Sequence, residues 1–259
     1  MARSTSRRVS AVIIACNEAH RIEACLASLH WADEIVVVDS GSSDATVEIA
    51  RRYTDRVVSV PWCGFGPQKQ AAVELASHDM IFNLDCDERV TPELALEIQA
   101  VLAGATIASA YQVPRRTFLG TKEIRHCGWY PDRTIRLFDR SRARFSDDLV
   151  HESVLTDGDT RMLRHDLLHY SFLGLADLLV KLNHYSDLSA RQMFQRGRRS
   201  SLFDLTARPC FAFVKTYLLR LGFLDGVEGF EVSVSSAVST FAKYMKLREL
   251  HHAAPVAKI

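Results

Sequence analysis

No two cysteines of this 259-residue chain stand at Cys-x-x-Cys spacing. Cys16, Cys25, Cys63, Cys86, Cys127 and Cys210 are scattered, which argues against a zinc site or a disulfide framework and for idle thiols in a reducing compartment. No run of about 18 uncharged apolar residues occurs, so no transmembrane helix is expected. Internal repeats, low-complexity linkers and long polar tracts are also missing, which excludes repeat and largely disordered architectures. Net charge is only +1, from 32 Lys and Arg against 31 Asp and Glu, and gives no general attraction to nucleic acid. Arg3, Arg7 and Arg8 before residues 9–16 imitate a signal peptide, and Ile13-Ile14-Ala15-Cys16 imitates a lipoprotein cleavage box. The apolar run is barely long enough and Asn17-Glu18 follows at once, so the stretch reads as a first strand.

What is present is a substantial apolar fraction, 47%, enough for one large domain or one domain with an appendage. Charge is distributed unevenly. From Arg191 onward there are 11 Lys and Arg against 5 Asp and Glu, whereas residues 1–190 carry 21 against 26. The body is mildly acidic and the tail basic.

Buried strands are expected at residues 9–15 and 34–38, where Val and Ile run without alternation, and a third and fourth strand at 56–60 and 79–84. Between them lie helical spacings: Ile22, Leu26 and Leu29; a helix through Arg51-Arg52; and one entered from the glycine loop Gly64-Phe65-Gly66. Such alternation predicts a doubly wound, mostly parallel α/β sheet, with ligands at the carboxyl ends of its strands. Further strands are expected at 110–114 and 133–138, and residues 144–150 lead to Asp147, Asp148, His151 and Glu152. From Phe172 the chain reads as helical, with further apolar helices over 210–221 and from about Asp225. The domains expected are 1–170, catalytic, and 171–259, helical and basic.

The fourth strand delivers Asp85-Cys86-Asp87-Glu88, and Thr91-Pro92-Glu93 then reads as a helix start. Asp85 and Asp87 alternate in an extended chain, so both can face one way. Two hard oxygen ligands there suit Mg²⁺ or Mn²⁺ shared with substrate phosphates; a solvated acidic turn is the plain alternative. Asn17-Glu18 and Asp39 end other strands and so can converge with this pair. Asp39 equally suits a capping role. His165 and His169 lie at helix-face spacing, a pattern that more often reflects structure than metal binding.

Together the strand into Asn17-Glu18, Asp39-Ser40-Gly41-Ser42-Ser43-Asp44-Ala45-Thr46, the Gly64-Phe65-Gly66 loop with Lys69, and Asp85-Cys86-Asp87-Glu88 resemble family 2 glycosyltransferases of the Rossmann-like GT-A fold. Gly128-Trp129-Tyr130-Pro131-Asp132, Arg136-Leu137-Phe138, Val150-His151-Glu152 and Gly222-Phe223-Leu224-Asp225-Gly226 resemble, within that family, the bacterial branch that adds β-1,4-glucose to an inner-core heptose of lipopolysaccharide. The resemblance implies nucleotide-sugar contacts from Asn17, Glu18, Asp39, Lys69 and Asp85. It implies a divalent cation on Asp87 and Asp85, with His151 or His169 completing the shell. UDP-glucose as donor and a lipid-linked glycan as acceptor are likewise what the resemblance implies. Gln70 departs from the pattern, standing where many relatives carry Asn.

Transfer with inversion needs stabilisation of the leaving diphosphate and a carboxylate to take the acceptor's proton. Glu152 is the first candidate base, with Asp148 and Asp147 behind it. Trp129 and Tyr130 suit stacking on an acceptor sugar, or core packing. In the basic tail, Arg191, Arg196, Arg198, Arg199, Arg208, Lys215 and Arg220 alternate with Leu202, Phe203, Phe211, Phe213, Tyr217 and Leu218. That mixture fits contact with an anionic membrane surface, and also an ordinary solvated helix that packs its apolar face on the sheet. A lipid-linked acceptor favours the membrane, so that the protein would be cytoplasmic and peripheral on the inner face of the bacterial cytoplasmic membrane. Two other classes use parts of the same signal: a haloacid-dehalogenase-like phosphohydrolase, and a non-catalytic membrane or assembly protein that keeps a nucleotide-sugar fold.

Overall fold

The computed structural model describes residues 7–147 and 152–252. In chain order the first half runs β1 (Val9–Ala15), α1 (Ile22–Ala27), β2 (Glu34–Asp39), α2 (Thr46–Ala50), β3 (Val57–Ser59), α3 (Phe65–Glu74), β4 (Met80–Asn83), β5 (Glu88–Val90) and α4 (Pro92–Ala103). Then follow β6 (Ala110–Leu119), β7 (Lys122–Ile124), β8 (Asp132–Asp139), β9 (Ala143–Phe145), β10 (Val154–Thr156), β11 (Thr160–Met162) and β12 (Leu167–Phe172). The chain closes with α5 (Leu175–Gln195), α6 (Leu202–Leu205), α7 (Ala207–Val214), a π-helical turn Lys215–Leu219, a 3-10 turn Gly222–Asp225 and α8 (Gly226–His252).

Two compact units divide the chain: residues 1–115 with 132–169, and residues 116–131 with 170–259. In the first, the sheet order is β3-β2-β1-β4-β8-β6-β12-β5, with β11 beside β6. The run β3-β2-β1-β4 is parallel, while β8 joins β4 and β6 joins β8 in antiparallel fashion. The doubly wound half is therefore as the apolar runs predicted. Both faces of its central strands are covered. Val9, Ala11 and Ile13 pack with Leu26, Leu94 and Ile98 on one side, and Val12, Val36 and Val38 with Ala72 and Val73 on the other. That two-sided burial is why these strands read as continuous apolar runs. The start of α4 is also as expected: the Thr91 side chain accepts from the Leu94 N–H at 3.2 Å, with Pro92 in the first turn.

Three local readings are revised. Phe172 ends strand β12 instead of opening a helix, and α5 begins after Gly174. His169 lies in that same strand, so it shares no helix face with His165. The expected helix over 210–221 is broken into α7 and the π-helical turn, and Leu221, just beyond that turn, stands at a left-handed φ of 56°.

In the second unit β7 pairs antiparallel with residues 117–119. Here Asp225, buried, accepts from the backbone N–H of Arg125 (3.2 Å) and His126 (2.8 Å), with the His126 ring nitrogen Nδ1 at 2.9 Å. Gly222 and Gly229 meet backbone to backbone: a Cβ on Gly229 would stand 1.9 Å from the Gly222 carbonyl oxygen. The Gly-Phe-Leu-Asp-Gly motif is thus a packing device. Ala190, Tyr244 and Leu247 join α5 to α8, and Lys246 Nζ donates to Asn183 and Ser186 across the same pair at 2.7–2.9 Å. No helix among the described residues is long and apolar enough to cross a membrane.

Candidate active site

The loops after β1 and β2 clasp each other. Asn17, at a left-handed φ of 57°, accepts the Ser43 N–H at 2.8 Å and donates its own N–H to Ser42 Oγ at 2.8 Å. Glu18 N–H donates to Thr46 Oγ1 at 2.8 Å, and Ala19 N–H to Asp44 at 3.1 Å. Asp39 is buried and accepts from the Gly41 and Ser42 N–H groups at 2.9 and 3.0 Å and from Ser42 Oγ at 2.5 Å. Its two oxygens therefore close its own turn, the Asx-turn role open to an Asp followed by Ser and Gly.

Past the end of β4 lies a line of alternating charges, all within the first unit. Lys69, on α3 and only 4% exposed, places Nζ 2.8 Å from Asp85 Oδ1 and 2.8 Å from Glu152 Oε1. Arg136 donates to Asp85 Oδ2 (2.6 Å), Glu88 Oε1 (2.5 Å) and Asn83 Oδ1 (2.8 Å). Arg115 continues the line, meeting Glu88 at 3.1 Å and pairing with Asp132. Glu88 is fully buried, and its second oxygen accepts the Asp85 N–H at 3.1 Å.

Arg136 reaches this position through a bulge. Tyr111 pairs with Leu137 but Gln112 with Ile135, which leaves Arg136 the extra residue on β8. Such an insertion re-aims a side chain. A guanidinium suits the place, because its planar fork can serve several acceptors at once. Nothing in the sequence assigned Arg136 or Arg115 a role; a cation set between Ile135 and Leu137-Phe138 was the available signal.

The charges act on one another strongly. Burial by itself would raise the pKa of the Asp85 carboxyl, but Arg136 and then Lys69 hold it far below the usual carboxylate range. Burial is the strongest single influence on Lys69 and works to lower it, but Asp85 and Glu152 together outweigh it, and the ammonium ends above its ordinary value. Arg136 is likewise kept charged by Asp85 and Glu88 against burial.

Asp87 faces a different set. The pairing of β12 with β5 sets His169 opposite Glu88, and His169 Nε2 comes within 3.5 Å of Asp87 Oδ2. Arg21 lies 3.7 Å from the same oxygen and 3.9 Å from Glu18. Among the described residues no three His, Cys, Asp or Glu side chains gather as a metal cluster. The Asp87 carboxylate suits a divalent cation that takes its remaining oxygens from a diphosphate, the usual composition of Mg²⁺ sites, with the facing imidazole placed to add a nitrogen ligand.

Lys69, Asp85, Asp87, Glu152 and His169 thus lie in one unit with the Asn17, Glu18 and Asp39 loops. Asp148 and His151 lie outside the described residues. Asp147 is exposed, 3.9 Å from Arg144. His165 is exposed, its N–H donating to Glu97 at 3.0 Å. Gln70 accepts the Phe145 N–H at 3.0 Å and so pins β9. Trp129 and Tyr130 belong to the second unit, where Trp129 stacks on Phe172 at 5.3 Å and Tyr130 is 40% exposed.

Comparison with known proteins follows the same lines. The family model described as Glycosyl transferase family 2 matches residues 10–169. A lipopolysaccharide core biosynthesis glycosyltransferase, LpsC, of Rhizobium meliloti is 32% identical, over 94% of this chain and 93% of its own. An uncharacterised glycosyltransferase of Rickettsia conorii is 32% identical over 96% of this chain and 93% of its own. Among solved structures, glucosyl-3-phosphoglycerate synthase from Mycobacterium tuberculosis, in complex with Mn²⁺ and UDP-glucose, is 27% identical. That likeness covers 44% of this chain and 45% of that one, with a TM-score of 0.37. A family match over residues 10–169, joined to relatives aligned nearly end to end, makes this chain a member of glycosyl transferase family 2, a glycosyltransferase of the α/β, GT-A class.

Proposed function

We propose that the chain moves a hexose, glucose from UDP-glucose, with inversion onto a lipid-anchored envelope glycan such as an inner-core heptose of lipopolysaccharide. The reaction would take place at the cytoplasmic face of the bacterial cytoplasmic membrane. The observation that carries the reading is the buried Lys69 ammonium, which touches Asp85 on one side and Glu152 on the other. One cation thereby ties the carboxylate at the Asp-x-Asp strand end to the carboxylate expected to serve the acceptor.

In this reading Glu152 takes the proton of the acceptor hydroxyl as its oxygen bonds to the anomeric carbon. The bond to the diphosphate breaks on the opposite face, so an α-linked donor gives a β-linked product. Asp87 and His169 would hold Mg²⁺ or Mn²⁺, which supplies neutralisation of the charge that develops on the leaving diphosphate. Arg21, beside Asp87, adds a fixed cation on the same side. Asn17 and Glu18 line the loop at the mouth of the first two strands, where a doubly wound sheet takes its nucleotide. The name of the Rhizobium relative supports a lipopolysaccharide-type acceptor, and the resemblance of the motifs supports UDP-glucose.

The test is a panel of nucleotide sugars with and without Mn²⁺, read as ligand-dependent thermal stabilisation, since a ligand bound only to the native state raises its apparent stability. UDP-glucose should stabilise the protein, and more so with metal. Indifference to every uridine nucleotide would remove the donor assignment.

A further inference from the structure

Residues 202–241 hold more exposed large hydrophobic side chains than the rest of the described chain together. At their centre is a segment without any acid. Between Asp204 and Asp225 the only charges are Arg208, Lys215 and Arg220, and Asp204 is buried beneath its own capping box, paired with Arg208 at 2.5 Å. No side chain of α7 is fully buried. Phe211 (59% exposed), Leu218 (51%), Leu219 (67%) and Leu224 (57%) stand open to solvent. An ordinary surface helix would turn such residues inward and place charges of both signs outside. The elements here are too short to span a bilayer: the eight residues of α7 reach about 12 Å, against about 30 Å of hydrocarbon.

We propose that residues 205–224 dock into the interfacial layer of an anionic bilayer, with Phe211, Leu218, Leu219 and Leu224 in the acyl boundary and Arg208, Lys215 and Arg220 at the phosphate headgroups. This deepens the lipid-anchored acceptor reading, on which it rests for its biological sense, by naming the segment and its mode of contact. Charge complementarity selects the occupant. Residues 191–224 carry seven Lys and Arg against one Asp. A second copy seated on this face would set like charge against like, whereas phosphatidylglycerol headgroups supply the opposite sign. Interrupted short helices rich in aromatic and aliphatic side chains also suit partial insertion, the behaviour of a protein that lies on a membrane without crossing it.

The experiment needs neither sugar nor nucleotide, so its failure is separable from failure of the transferase reading. The full chain is floated with vesicles of phosphatidylcholine, alone or mixed with phosphatidylglycerol. The wild type should float with the mixed vesicles and much less with phosphatidylcholine. Leu218→Glu/Leu219→Glu should weaken binding by on the order of tenfold or more, since carboxylates resist the acyl boundary, with its circular-dichroism melt retained. A Leu219→Trp reporter should shift to the blue on mixed vesicles and be quenched by brominated acyl chains. It decides the question on its own if the double variant does not fold. Equal flotation of wild type and double variant would overturn the proposal. So would an emission of the Leu219→Trp reporter that stays unmoved on vesicles that bind the protein, or a lipid-free dimer that the double variant dissolves.

Discussion

Replacing Arg136 by Met tests the charge line under the site. The side chain is 4% exposed and serves three acceptors, among them the fully buried Glu88. Methionine fills much of the volume but leaves Glu88 with Arg115 and the Asp85 N–H, and Asp85 with Lys69. Removing one partner of a buried ion pair typically costs about 3–5 kcal/mol, because the remaining charge stays desolvated. For a chain of this size each kcal/mol shifts the melting temperature by roughly 2–4 °C, so a loss of roughly 6–20 °C is expected. Urea and thermal unfolding followed by circular dichroism near neutral pH measure it. The double variant Glu88→Gln/Arg136→Met should recover part of the loss, with a coupling of about 1–3 kcal/mol, since it removes the stranded charge as well. A loss below about 1 kcal/mol in Arg136→Met, the scale of an exposed pair, would refute the reasoning.

Asp87→Ala should abolish transfer and weaken Mn²⁺-dependent nucleotide binding while the melt stays near wild type; full activity in this variant, or in excess EDTA, would remove the metal assignment. Glu152→Gln should lower kcat by about 10²–10⁴-fold with donor binding nearly unchanged, and loss of donor binding in a folded variant would move Glu152 to the donor side. Because the folded-state pKa of Asp85 is depressed, its contribution to stability is complete above the unfolded value of about 3.9. That contribution drains away as pH falls toward the folded value. Asp85→Asn should therefore lose less melting temperature between pH 6 and pH 3 than the wild type does. An identical acid-side slope in the two proteins would contradict it.

The legibility of this chain tracks sequence locality. β1, β2 and β4 were visible because strands buried on both faces write unbroken Val and Ile runs, and α4 because Thr91-Pro92-Glu93 carries its own start signal. The three-residue strands β5 and β11 are too short for any period to show. β12 could be recognised only through its distant partners β6 and β5, and with the latter the approach of His169 to Asp87. Lys69, Asp85 and Glu152 were nominated by motif, yet their meeting on one ammonium joins residues far apart in the chain. Arg136 needed a bulge on β8, a defect of register that no spacing in the sequence records. Asp39 was legible in type but ambiguous in role, and its oxygens turn out to serve the Gly41-Ser42 turn.

The most direct measurement is the anomeric configuration of the product formed from α-linked UDP-glucose and a heptose-containing lipopolysaccharide core acceptor, read by NMR in the presence of Mn²⁺. A β-linked glucosyl product, absent in Glu152→Gln, is predicted. An α-linked product, or release of inorganic phosphate with no sugar transferred, would contradict inverting transfer by this site.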